Sequence, residues 1–410
     1  MLLSRLLRRI VHTGTLTVID AHGRRHSFEG STPGGSCTIR LHDPALHYRL
    51  LLNPKLVVGE AVMDGTLTVE DGEIYNFFAL LAENLGWGDP DHWLARLGHG
   101  YRLVTKRLAQ YNPIPRAHRN VAHHYDLSDR LYELFLDSDR QYSCAYFAKP
   151  DDTLERAQER KKKHIAAKLL LEPGQKVLDI GCGWGGLALS LAKVAEVDVT
   201  GITLSREQHR YANERAEREG LADRVRFLLQ DYREVEGRFD RIVSVGMFEH
   251  VGVGHYKTYF KQIKELLTDN GVALLHTIGR AEPPGAPNPW INKYIFPGGY
   301  IPALSEIMPA VERCGIYVTD LEVLRLHYAK TLRAWRRRFQ ANRAQVRELY
   351  DERFCRMWET YLVLSEVAFR FTGLVVFQLQ LAKDQDAVPL TRDYITEFDR
   401  AVGKEHWRAA

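Results

Sequence analysis

The residues Val177-Leu178-Asp179-Ile180 form a short apolar run that leads straight into Gly181-Cys182-Gly183-Trp184-Gly185-Gly186. Glycines let a backbone turn tightly and approach a ligand closely, and the helix expected to begin near Leu187 offers free N–H groups in its first turn. That is nucleotide-type chemistry. A dinucleotide enzyme would carry an acidic residue roughly 20 positions on, at the end of the second strand, to hold a ribose. The chain has Gly201-Ile202-Thr203-Leu204-Ser205 there, with Gln208 soon after, so an NAD enzyme is disfavoured. Asp179 suits a carboxylate set against a cationic amino-acid moiety, and Gln230-Asp231 stands where an adenine amine could be read. The competing role for Asp179 is a cap on the following turn. A second pair, Glu249 and His276, falls at the C-terminal ends of adjacent expected strands, where open sheets place ligands. Taken singly they would be a helix-start carboxylate and a core histidine. Their joint occurrence there favours a functional reading.

Such residues need a sheet to hold them. From about position 122 short apolar runs alternate with longer helical segments, which predicts an α/β domain with a mostly parallel sheet covered by helices on both faces. The expected strands are 176–180, 197–202, 225–229, 241–245 and 272–278, with two late runs, 317–323 and 374–381, as an antiparallel pair at one edge. Upstream, strand-like runs at 16–19 and 38–41 and a helix over 75–85 predict a small N-terminal α/β domain. The expected division is therefore 1–95, a basic connector over 96–120, and a second domain over 121–400 with a helical insertion near 332–370. The first eleven residues place Leu2, Leu3, Leu6, Leu7 and Ile10 at helical spacing opposite Arg5, Arg8 and Arg9. A helix like that can lie in a membrane interface, though its shortness favours packing on its own domain.

Composition narrows the class. A chain of 410 residues with 45% hydrophobic content has enough apolar mass for two cores. The formal charge of +4 is too small to suggest nucleic-acid binding. Its distribution is uneven: Arg96, Arg102, Lys106, Arg107, Arg116 and Arg119 occur with no Asp or Glu between them, interleaved with Tyr101, Leu103, Leu108 and Tyr111. Anionic lipid head groups would attract such a segment; a solvated basic helix between domains is the alternative. No run approaches the roughly 20 apolar residues that cross a bilayer, and the arginines near the start do not suit a secretory signal, so a cytoplasmic protein is expected. The scattered Cys37, Cys144, Cys182, Cys314 and Cys355 predict free thiols and no structural metal.

One set of segments, taken in order, resembles the cyclopropane-fatty-acyl-phospholipid synthases. It comprises Gln141-Tyr142-Ser143-Cys144-Ala145-Tyr146, the glycine turn with Trp184, Thr203-Leu204-Ser205-Arg206-Glu207-Gln208, Gln230-Asp231-Tyr232-Arg233, Val245-Gly246-Met247-Phe248-Glu249-His250-Val251-Gly252, Leu275-His276-Thr277-Ile278-Gly279 and Trp290-Ile291-Asn292-Lys293-Tyr294-Ile295-Phe296-Pro297. The match runs from about 120 to 383, and Gly59-Glu60-Ala61-Val62-Met63-Asp64-Gly65 extends it more weakly. The resemblance implies a Rossmann-like methyltransferase domain that uses S-adenosylmethionine. Tyr142, Ser143, Gly181, Gly183, Thr203, Gln208, Gln230 and Asp231, with Asp179, would then contact that cosubstrate.

The implied substrate is an unsaturated acyl chain of a membrane phospholipid. An alkene is a poor nucleophile, and its methylation leaves a carbocation that survives only away from water, near aromatic faces or oxygen dipoles. Tyr142, Tyr146, Phe147, Phe248, Tyr294, Phe296 and Tyr328 are candidates, with core packing expected for at least half. The resemblance further implies a bound bicarbonate ion as the base, held by residues matching Cys144, Glu249, His276, Ile278 and Tyr328. The N–H groups of Cys144 and Ile278 and the side chains of His276 and Tyr328 could donate to the anion. Glu249 could accept the bicarbonate hydrogen or orient His276. A homodimer, peripherally attached to the inner face of the cytoplasmic membrane, is also implied. Three rivals remain: a C-methyltransferase making methyl-branched or methylene fatty acids, an enzyme for protein-carried acyl chains, and a noncatalytic lipid-binding protein on the same fold. The full N-terminal domain counts against the second, and intact Asp179, Glu249 and His276 against the third.

Overall fold

Threonines alternate with Leu16 and Val18 along β1 (Thr13–Ile19), so one face of that strand is buried and the other is open. It pairs antiparallel with β2 (Arg25–Glu29) and parallel with β3 (Thr32–Leu41), and β3 pairs antiparallel with β4 (Leu67–Asp71). The order is β2-β1-β3-β4. The structure is a computed structural model and describes residues 2–85 and 127–398. The basic connector, with Arg102, Lys106 and Arg107, lies outside the described residues. Chain packing divides the molecule into two units, the first built from the described parts of 1–105, 286–297 and 329–374.

The helix Leu2–Ile10 buries Leu3 and Leu7 in the core of this unit and leaves Arg5, Arg8 and Arg9 exposed. Its apolar side thus packs on its own domain. The helical stretch expected as an insertion in the second domain is helical, at Arg343–Leu349 and Glu352–Phe371, but residues 329–374 belong to the first unit. A four-stranded sheet with short helices needs a longer amphipathic cover, and Val363 and Val367 supply it beside Phe77, Leu80 and Ile39.

Two of the motifs meet inside this unit. Gly59, on the helix Pro54–Met63, lies so close to Trp290 that a Cβ there would fall 2.6 Å from the indole. Glu60 accepts from Lys293 Nζ at 2.8 Å and from the Tyr294 hydroxyl at 2.9 Å. Asp64 accepts from Arg353 Nε at 2.8 Å.

The second unit holds a seven-stranded sheet, β10-β11-β9-β8-β5-β6-β7. Its parallel strands are β5 (Lys176–Ile180), β6 (Asp198–Thr203), β7 (Val225–Leu229), β8 (Phe239–Val245) and β9 (Leu267–Arg280). The late runs form β10 (Tyr317–Val323) and β11 (Leu374–Ala382), antiparallel to each other, with β10 at the edge. Buried Leu178, Ile180, Ile242 and Leu275 pack on one face of the sheet, and Val177, Val199, Val243 and Leu274 on the other. Strand order reverses at β5, whose neighbours are β6 and β8. Open sheets of this kind bind ligands beyond the C-terminal strand ends at that point. Among the described residues no helix is long and apolar enough to cross a membrane.

Candidate active site

A cleft opens at that switch point, and all nine residues nominated for the cosubstrate line it: Tyr142, Ser143, Asp179, Gly181, Gly183, Thr203, Gln208, Gln230 and Asp231. The turn after β5 uses left-handed backbone at Gly181 (φ +83°) and Gly183 (φ +56°). A Cβ on Gly183 would have no protein atom within 4 Å, so the space before it is left for a ligand. Asp179 is buried, and its Oδ2 has no hydrogen-bond partner among the described residues. Burial pushes its carboxyl up to about 7, against the pull of the Lys161 ammonium. An orphaned carboxylate on the cleft wall fits the α-ammonium of S-adenosylmethionine.

The other walls are held by local bonds. Ser205 caps the helix Arg206–Arg218 by accepting from the Gln208 N–H, and the Thr203 hydroxyl donates to Gln208 Oε1 at 2.9 Å. At the end of β7 both adenine candidates are already engaged. Arg233 grips Asp231 through two 2.8 Å bonds, and Gln230 donates its amide to the Glu234 carbonyl at 2.8 Å.

Lys161, a buried residue bonded to two residues of the cleft wall, is one that the sequence reading missed. Its Nζ donates to Gln141 Oε1 at 2.5 Å and to Ser143 Oγ at 2.8 Å, holding the segment that carries Tyr142. Burial pulls this ammonium down to about 8, while Asp137 and Asp139 pull the other way. The run Arg160-Lys161-Lys162-Lys163 looks solvated. The available signal was spacing: on the helix Leu154–Leu169, positions 154, 157, 161, 165 and 168 share one buried face.

Beside the cleft, the turn after β8 carries Glu249. Its Oε1 accepts from the Ile278 N–H at 2.6 Å, and its buried Oε2 has no partner among the described residues. Burial pushes this carboxyl up to about 7, opposed by bonds from the Ile278 N–H and the Thr277 hydroxyl. His276 lies opposite Val245 on β9, and its carbonyl accepts from the N–H of Gly246, a residue of the cleft wall. Burial pulls its ring down to about 3, so the imidazole is neutral.

Two expectations change here. The Ile278 N–H is not free for an anion, because Glu249 takes it. The side chain within bonding distance of the His276 ring is Gln378 on β11, Nε2 to Nδ1 at 3.1 Å, where Glu249 had been a candidate to orient it. Cys144 is buried with its thiol donating to the Ala145 carbonyl at 3.4 Å, and Tyr328 is buried at the start of the helix His327–Ala341.

The aromatic candidates divide. Tyr142 lines the cleft. Phe248 is core, stacked on Tyr256 at 4.3 Å and surrounded by Tyr259 and Phe260. Tyr146 is sandwiched between His164 and His327, at 4.3 and 4.8 Å, and the Phe147 N–H donates to His327 Nδ1. Tyr294 is tied to Glu60, and Phe296 packs edge-on against Tyr361 within the first unit.

A glycine turn at the switch point of a mostly parallel sheet, beside a buried carboxylate oxygen with no partner among the described residues, suits a cosubstrate with a cationic group, and the comparisons with known proteins show the class to be the S-adenosylmethionine-dependent methyltransferases. Residues 114–379 match the model of the mycolic acid cyclopropane synthetase family. The chain is 41% identical over 357 residues to the cyclopropane-fatty-acyl-phospholipid synthase of Escherichia coli K12, covering 87% of this chain and 90% of that protein. It is 34% identical over 398 residues to the tuberculostearic acid methyltransferase UfaA1 of Mycobacterium tuberculosis, covering 93% and 91%. Among solved structures, the mycolic acid cyclopropane synthase CmaA1 complexed with SAH and CTAB superposes with a TM-score of 0.62 at 36% identity, covering 66% of this chain and 98% of that one. The chain belongs to the mycolic acid cyclopropane synthetase family.

Proposed function

We propose that the protein transfers the methyl group of S-adenosylmethionine to the double bond of unsaturated acyl chains in membrane phospholipids and forms cyclopropane fatty acids. The observation that carries this reading is the buried pair Glu249 and His276, the first bonded to the Ile278 N–H and the second to Gly246 of the cleft wall, joined to the likeness to the Escherichia coli enzyme over both units. The alkene π electrons form a bond to the methyl carbon as the S–C bond breaks, leaving S-adenosylhomocysteine and a carbocation. Loss of a proton from the transferred methyl then closes the ring. The neutral His276 adds no positive charge against that cation.

The unpartnered Glu249 Oε2 and the neutral His276 ring suit an anion that itself carries a hydrogen, with Cys144 and Tyr328 as the further residues that would hold it. Bicarbonate bound there supplies the base for that proton. The runner-up, a methyl-branched or methylene product, is supported by the likeness to the tuberculostearic acid methyltransferase. We further infer a homodimer in the cytoplasm that docks reversibly on the membrane, with the 96–120 connector meeting anionic lipid. Neutralising Arg102, Lys106 and Arg107 together should weaken vesicle binding, most of all at low ionic strength, where screening is weakest. Binding that ignores both salt and anionic lipid would remove that part.

The deciding experiment incubates the protein with S-adenosylmethionine and unsaturated phospholipid vesicles and analyses the acyl products. A chain that gains CH2 and resists ozonolysis is the ring. A methylene product gains the same mass and is cleaved. Cosubstrate left unconsumed with every unsaturated lipid would overturn the proposal.

A further inference from the structure

His276 and Gln378 lie on neighbouring strands, β9 and β11, and both are buried. Gln378 Nε2 sits 3.1 Å from His276 Nδ1, while Gln378 Oε1 has no hydrogen-bond partner among the described residues. A buried amide that leaves its acceptor unmet is a costly way to fill space, and an apolar side chain of similar length would fill it without that cost. What sets Gln378 apart from such a side chain is the contact its other end makes.

We propose that Gln378 is a positioning residue that sets the tautomer of His276: its amide N–H donates to Nδ1, so the ring proton resides on Nε2 and the ring offers a single N–H. The inference deepens the reading above and rests on it for its consequence. The surroundings favour the neutral ring. On the helix Leu154–Leu169, Lys161, Lys168 and His164 lower the basicity of His276, and Glu322 on β10 raises it. Glu322 lies opposite Gln378 in the strand register, and its Oε2 is held by His164 Nε2 and Lys168 Nζ, each at 2.6 Å. Glu249 has its Oε1 on the N–H of Ile278, two residues along β9 from His276. The Gln378 amide is thus the group that the structure places against Nδ1. A second ring nitrogen carrying a proton would make an imidazolium, which opposes a cationic intermediate; an Nε2–H on a neutral ring polarises an anion without that penalty.

The test uses the full chain with 15N-labelled histidine, the His276 signals being identified by their loss in His276→Gln. The wild type is expected to show a fixed Nε2–H tautomer that does not titrate between pH 5 and pH 9, a window chosen around the ordinary imidazole value of about 6.5. Gln378→Glu, whose carboxylate accepts from Nδ1–H, should move the proton to Nδ1 and bring a ring titration into that window. Gln378→Met, of similar length, should release the tautomer preference. S-adenosylmethionine affinity should stay within about twofold in both, reporting an intact cleft, while kcat falls at least tenfold and in Gln378→Glu acquires the pH dependence of the ring. A wild-type ring with its proton on Nδ1, or variants that leave the tautomer unchanged, would overturn the proposal. A tautomer that switches while kcat and its pH profile stay put would support Gln378 as the setter and instead overturn the placing of His276 in the chemistry.

Discussion

Asp179 and Glu249 share one feature and differ in another. Each is a buried carboxylate with one oxygen unpartnered among the described residues, and burial pushes each up to about 7. Asp179 stands at the end of β5 on the cleft wall, with the Lys161 ammonium pulling it back toward ionisation. Glu249 has no such cation among the groups that shift it; its ionised form is favoured by N–H and O–H donors alone. A carboxyl on the cleft wall that a lysine's field pulls toward ionisation, with one oxygen unpartnered among the described residues, can receive a cationic group. One held up without a cation is ready to exchange or share a hydrogen. Two similar side chains, one on β5 and the other just after its neighbour β8, are thus prepared for binding and for chemistry respectively.

The sharpest way to break this contrast is Glu249→Gln. Loss of an acid–base group costs roughly 10²- to 10⁴-fold in turnover, so kcat should fall by about that much while calorimetric affinity for S-adenosylmethionine stays near wild type. Equal losses in both would merge the two regions into one. Gly183→Val should act oppositely. A branched side chain at φ +56° is strained and would project into the cleft, so cosubstrate binding should drop by about 100-fold or more in a protein that still melts cooperatively. Unchanged affinity would move the binding site elsewhere.

Asp179→Asn is the next smaller effect. A hydrogen bond to a charged group contributes about 1.5–3 kcal/mol, so affinity should fall by about ten- to a hundredfold with kcat at saturation little changed. The pH dependence sharpens this. With the ligand-free carboxyl raised to about 7, an incoming ammonium must displace a proton below that pH. Wild-type affinity should therefore weaken as pH falls below about 7, by up to tenfold per unit, and Asp179→Asn should lose that slope. For stability the sign runs the other way. A carboxyl raised in the folded state adds stability that is full below its ordinary value of 3.8 and is lost as pH rises through about 7. Calorimetric titration with S-adenosylmethionine across pH checks the first, and denaturant titration of the ligand-free protein against pH checks the second.

Gly59→Ala separates a packing motif from a chemical one. The added methyl would meet the Trp290 ring at 2.6 Å, and overpacking of a core costs about 1–3 kcal/mol. The melting temperature should fall while cosubstrate affinity is kept. A lost affinity with unchanged melting would mean that this motif serves the cleft.

The amino-acid sequence by itself determined the second unit's sheet almost strand for strand, because most strands there are short apolar runs between breakers, and it named residues that the fold gathers on one cleft. The glycine turn, Asp179 and the Thr203–Gln208 cap are each local, so their geometry follows from neighbours in the chain. It missed β2 (Arg25–Glu29) and β4 (Leu67–Asp71), which are short and polar on their open faces. Tertiary structure alone decided the rest. Whether Lys161 is solvated or buried depends on Gln141 and Ser143, about 20 residues away. Whether 329–374 covers one sheet or the other depends on which apolar face lacks a cover. The partner of His276 is 102 positions on, at Gln378, brought alongside by a strand that enters the sheet last. No periodicity within either segment encodes that meeting, because the hydrogen bond exists only once β11 has taken its place next to β9.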